Sequence, residues 1–116
     1  MREDNVILEK SLSFAVRIVN LSKYLQEEHR EHVLSRQVLR SGTSVGANVR
    51  EAMYGQSRND FIAKMSISLK EIAETEYWLE LLMRTMYLTN EQYQSIKDDC
   101  SEIAKLLTSI VKNTKG

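Results

Sequence analysis

The chain has no proline and only four glycines in 116 residues. All-β and loop-rich domains take their turns from those two residues, so their scarcity excludes such folds and favours long helices. Cysteine occurs once, at Cys100, which excludes an internal disulfide and fits a reducing compartment. Long apolar runs are missing as well. None approaches the ~18 residues that span a bilayer, and the charged opening MREDNVILEK holds too short an apolar stretch for a secretory signal. These absences predict a cytoplasmic protein that does not enter a membrane.

Net charge is also absent, with 16 basic and 16 acidic residues. Residues 1–58 carry nine Lys/Arg against seven Asp/Glu, and residues 59–116 carry seven against nine, so the halves stand at +2 and −2. Neither half is an electrostatic tail, and the basic excess of a duplex-binding protein is missing. What remains, 42% apolar and 28% charged residues, is the balance of an ordinary globular chain, long enough for one domain over residues 1–116.

Hydrophobic periodicity divides that domain into four helices, at about 6–27, 32–54, 58–87 and 90–112. The first carries two apolar stripes. Leu8, Leu12, Ala15, Val16 and Val19 form one; Ile7, Phe14, Ile18, Leu21 and Leu25 form the other, more than a right angle away. The second helix has a core stripe of Leu34, Val38, Val45, Val49 and Ala52. Gly42 and Gly46 lie one turn apart beside it and predict close approach of a neighbouring backbone. Gly55 stands where a C-terminal cap is expected. Ser57 with Asp60 opens the third helix as a weak capping box, and its main stripe runs Phe61, Met65, Leu69, Ile72, Leu79, Met83 and Met86. A second set, Ile67, Trp78 and Leu81 with Tyr77, lies roughly opposite. Thr89 with Gln92 is a full capping box for the fourth helix, which has one apolar face of Tyr93, Ile96, Cys100, Ile103, Leu107 and Ile110. The tail from Asn113 to Gly116 is expected to fray. Short connections between long helices predict an all-α, up-down-up-down antiparallel four-helix bundle.

Catalytic and cofactor chemistry finds little footing. A di-iron bundle needs Glu-x-x-His on two helices, and neither His29 nor His32 has a glutamate three residues before it. Both histidines fall in the charged break between helices one and two. Cys100 sits on an apolar stripe with no histidine placed to activate it, and no glycine leads into the Lys-Ser/Thr of a phosphate loop. The sequence predicts a protein that is not an enzyme, with no metal and no cofactor.

Three polar or apolar constellations stand out. Arg40, Ser44, Asn48 and Glu51 on helix two face Lys70, Glu71 and Glu74 on helix three. A turn centred near residue 56 sets Arg40 beside Glu74 and Ser44 near Lys70, which reads as a polar seam fixing the register between helices or subunits. Asn48 is expected to hydrogen-bond at that helix contact. Glu76 shares the side of Leu69, Ile72 and Leu79, an unusual place for a carboxylate unless it is paired. Arg36, Arg40 and Arg50 span an arc of ~80° on helix two, joined by Arg58 if the helix runs that far, and form a candidate strip for nucleic-acid phosphates. The surplus apolar residues, Phe14, Ile18, Leu21 and Leu25 of helix one with Ile67, Tyr77, Trp78 and Leu81 of helix three, are the candidate interface of a homo-oligomer.

The segments RSGTSVGANVREA (Arg40 to Ala52) and QSRNDFIAKMSISLKEIAETEYWLELL (Gln56 to Leu82) resemble the bacterial four-helix bundle proteins grouped with the 23S rRNA intervening-sequence proteins. The resemblance implies a four-helix bundle without known enzymatic activity, often assembled as a pentamer, with some members encoded inside insertions in ribosomal RNA genes. The fold it implies is shared with the accessory variability proteins of diversity-generating retroelements, which are pentameric and bind nucleic acid and a reverse transcriptase. Those relatives are markedly basic, whereas this chain is neutral. The leading expectation is an oligomeric scaffold or protein-interaction module whose first partner is itself. The alternative is an RNA- or DNA-binding accessory protein that uses the arginines of helix two.

Overall fold

The computed structural model describes residues 2–115, which form four helices: α1 (Arg2–Glu28), α2 (Leu34–Met53), α3 (Arg58–Arg84) and α4 (Asn90–Lys115). No strand occurs among the described residues. Each helix packs on its neighbours in the chain and α1 also packs on α4, so the four stand at the corners of an up-and-down bundle measuring 44 × 21 × 18 Å. All-α architecture follows directly from long periodic segments that nothing interrupts.

The ends of the helices differ from the periodicity, for local reasons. α2 starts at Leu34 because the Glu31 carboxylate accepts the amides of Val33 (3.2 Å), Leu34 (3.0 Å) and Ser35 (2.7 Å), which leaves residues 32 and 33 outside the helix. α3 stops at Arg84, because Met86 takes a left-handed φ of 72° and the amides of Tyr87 and Leu88 turn back onto the Leu82 carbonyl. Met86 therefore leaves the core stripe and is exposed. Gly55 is not a left-handed cap, since no described glycine has positive φ. It is needed for space: a Cβ there would meet the Ala52 carbonyl at 3.1 Å and the Phe61 nitrogen at 3.3 Å. The Thr89–Gln92 box closes reciprocally, at 2.9 and 3.1 Å. Asn113 to Lys115 remain helical, and Gly116 lies outside the described residues.

The core corrects the reading of α1. Phe14, Ile18 and Leu25, taken as interface residues, are buried within the chain together with Ile7, and Leu21 is half-buried. Ser11 and Ser22 complete this inward stripe, and both are buried. The apolar residues of the stripe are thus interrupted by two buried serines. They belong there because α1 and α2 meet closely: a Cβ on Gly42 would stand 2.7 Å from the Ile18 side chain, and one on Gly46 would stand 3.2 Å from the Ser11 carbonyl. Small side chains at such a crossing let larger ones interlock on either side. Each large apolar side chain buried here contributes roughly 1.5–3 kcal/mol.

Hydroxyls buried between helices are satisfied by backbone. Ser22 donates to the Ser35 carbonyl (3.1 Å) and Ser68 to the Val45 carbonyl (2.8 Å). Thr75 lies 2.8 Å from the Glu71 carbonyl and 2.9 Å from the Ser41 hydroxyl.

Candidate functional site

With Phe14 and Ile18 turned inward, the outward face of α1 is the other stripe. Leu12 is 48% and Val16 56% exposed, with Leu8, Ala15 and Val19 half-buried beside them. A groove of about 210 Å³ runs between this stripe and α2, lined by Leu8, Leu12, Ala15, Gly46, Ala47 and Arg50. α3 carries the second outward set: Ile67 is 41% and Tyr77 60% exposed, while Trp78 and Leu81 are half-buried. Tyr77 meets Trp78 edge-on at 5.0 Å between ring centroids.

The polar seam supports that aromatic pair. The Arg40 guanidinium lies 2.7 Å from the Glu74 carboxylate, which also accepts the Trp78 indole N–H at 3.0 Å. Arg40, Glu74, Trp78 and Tyr77 thus form one chain of contacts across α2 and α3. Both charged side chains are more than a third exposed, so the ion pair alone contributes at most ~1 kcal/mol. Glu51 pairs with Lys64 at 3.1 Å. The remaining seam residues do not join. Asn48 donates to the Ser44 carbonyl and Ser44 to the Arg40 carbonyl, both within α2. These i to i−4 bonds are available inside any helix, so Asn48 needs no helix-contact partner. Lys70 is exposed and makes no ion pair among the described residues. One oxygen of Glu71 is shielded from solvent without a hydrogen bond among the described residues.

The arginine strip is shorter than expected. Arg36 and Arg50 are exposed, but Arg40 is held by Glu74, and Arg58 stands at the start of α3, beyond the Gly55 turn.

A second seam, between α1 and α4, escaped the sequence reading. Glu3 accepts from the Ser109 hydroxyl (3.2 Å), Lys10 pairs with Glu102 (2.8 Å), and Arg17 binds Asp99 (2.7 Å) and the Ser95 hydroxyl (2.6 Å). The signal was there in the spacing, since Glu3, Lys10 and Arg17 fall seven residues apart on one helix face.

Reactive groups stay scattered. Burial, with Glu76 and Asp99 adding to it and Arg17 opposing, pushes the Cys100 thiol up to about 12, far from the thiolate needed for nucleophilic attack. Glu76 is half-buried on that side of α3. His29 bonds the Tyr24 hydroxyl at 3.1 Å and lies edge-on to Tyr24 and Tyr87, and His32 is exposed. No group of three or more His, Cys, Asp or Glu is placed to hold a metal ion among the described residues, and no described helix is long and apolar enough to cross a membrane.

The geometry defines an up-and-down helical bundle whose distinctive surface is two outward apolar sets on diagonal corners, rather than a cleft with assembled chemistry. The chain belongs to the 23S rRNA-intervening sequence protein family, whose sequence pattern matches residues 3–109. A crystal structure of a protein of unknown function from the S23 ribosomal protein family of Bacteroides thetaiotaomicron VPI-5482 is similar, with 64% sequence identity and a TM-score of 0.94 over 95% of this chain and 98% of that one. No curated protein matches.

Proposed function

We propose that this protein is a non-enzymatic assembly module that associates with copies of itself through the outward stripe of α1. One observation carries the reading: Leu12 and Val16 stand exposed in line with Leu8, Ala15 and Val19, an apolar strip that a bundle of this size has no internal use for. Soluble monomers seldom leave such a continuous strip uncovered. The exposed set on α3 supplies a complementary surface, and the family resemblance implies five subunits. A nucleic-acid role draws on less, because Arg36 and Arg50 are the two strip arginines left free on α2.

Sedimentation velocity of the wild type beside the Leu12→Glu, Val16→Glu double variant tests the reading. Both positions are exposed, so the variant is expected to keep its helical content and melting behaviour while falling to the mass of one chain. A variant that sediments like the wild type removes the α1 stripe from assembly.

A further inference from the structure

We infer that the hollow between the second half of α1 and the first turns of α4 binds a small aromatic carboxylate. The site lies on the α4 side of α1, away from the Leu12–Val16 stripe, and stands whether or not copies associate.

The seam between α1 and α4 explains why a hollow exists. Glu3, Lys10 and Arg17 follow one another at seven-residue steps, and each reaches α4. The next step is Tyr24, and its counterpart on α4, seven residues before Asp99, is Gln92. Neither side chain closes the rung. The Tyr24 hydroxyl lies 3.1 Å from His29 Nε2, and Gln92 Oε1 accepts the Thr89 amide at 2.9 Å in the capping box. With both committed elsewhere, a space of about 270 Å³ opens between the helices. A cavity of about 150 Å³ takes a benzene ring, so the volume suffices for a ring that carries a substituent.

Apolar side chains make the floor: Leu88 and Ile96 are buried and Leu21 is half-buried. The ring of Tyr24 forms one wall. His29 meets it edge-on at 5.1 Å between centroids, and Tyr87 meets His29 edge-on at 5.5 Å. An aromatic ligand gains an offset or edge-on contact against such a ring, and a wall already braced has little freedom left to lose.

Donors occupy the rim. Of the N–H groups that an arginine carries, those of Arg17 Nη1 go to Asp99 and the Ser95 carbonyl, and one from Nη2 goes to the Ser95 hydroxyl. The Nε–H and the second Nη2 hydrogen remain. The Thr89 amide can only donate, which turns the Gln92 oxygen toward it and leaves the Gln92 amino group without a partner among the described residues. The exposed carboxamide of Asn20 makes no hydrogen bond among the described residues either. No acid lines the hollow, and Asp99 is already bound by Arg17. An excess of donors around an apolar floor calls for a ligand that accepts, and a carboxylate accepts most strongly from a guanidinium. The α1–α2 groove also pairs a cation, Arg50, with no acid, but its Ser11 and Thr43 hydroxyls are spent on backbone carbonyls.

Benzoate is the probe that tests the site. Titrated into the wild-type chain and followed by proton–nitrogen correlation NMR, it should move the Asn20 and Gln92 side-chain amides and the backbone amides of Leu88 and Ile96 saturably. Arg17→Gln should weaken binding about tenfold, the loss of one hydrogen bond to a charged group. Asn20→Ala, at an exposed position, should weaken it about threefold, and both variants should keep the circular dichroism of the wild type. Benzyl alcohol, a similar ring without the charge, should bind more weakly than benzoate. No saturable shift overturns the site, as do shifts centred on Ala15, Gly46 and Ala47 instead. Unchanged affinity in both variants, or benzyl alcohol binding as tightly as benzoate, overturns the recognition of a carboxylate.

Discussion

Single residues settle where each helix begins and stops. Glu31 holds three amides at the start of α2, while its own carbonyl accepts the Ser35 hydroxyl at 2.8 Å. Burial alone would raise its pKa, but the amides of Leu34, Ser35 and Val33, with His32 nearby, outweigh it and hold the carboxyl below its ordinary 4.5. A carboxyl whose folded pKa is depressed stabilises the fold fully above its unfolded value, and that contribution is lost as pH falls through the lower folded value. Glu31→Gln should therefore cost about 1 kcal/mol near neutrality, as capping losses do. The difference from wild type should shrink below about pH 4.5. Urea melts of both proteins between pH 3 and 7 read this directly, and a difference that stays constant with pH would contradict it. The sequence did not show this cap because a glutamate three residues ahead of a helix resembles any other charged loop residue. Nor could it show Arg30 and Met86, whose left-handed φ values of 52° and 72° fall where glycine is the usual choice.

At the scale of the helices, register was legible and facing was only partly so. A short α2–α3 connection and two stripes of known period place Arg40 opposite Glu74 without any tertiary knowledge, and Thr89 with Gln92 marks the start of α4 by a pattern that depends on no other element. The inward face of α1 was not legible. Ser11 and Ser22 count as polar in any periodicity, yet they are core residues because the backbones meet at Gly42 and Gly46. That crossing makes a prediction opposed to helix propensity. Gly42→Ala ought to gain ~1 kcal/mol by propensity, but its Cβ would press on the fully buried Ile18, whose branched side chain has no room to withdraw. Overpacking of this kind costs typically 1–3 kcal/mol, so the variant is expected to melt lower than wild type, by differential scanning calorimetry. A higher melting temperature would show that α1 and α2 part more easily than their packing implies.

For the whole molecule, the fold and the surface give different kinds of information. Family membership and the similar crystal structure agree on the bundle, while neither names a reaction or a ligand. What the bundle offers its surroundings is Leu12 and Val16 on one corner and Ile67 and Tyr77 on the diagonal one. Composition did carry the surplus of apolar side chains in α1, but which set lay outside depended on the glycine crossing. Native mass spectrometry of the wild-type chain at micromolar concentration tests self-association most directly. The account predicts a dominant closed species at an integral multiple of 13.4 kDa, five-fold if the family resemblance extends to stoichiometry. A single species at 13.4 kDa across the concentration range would contradict it.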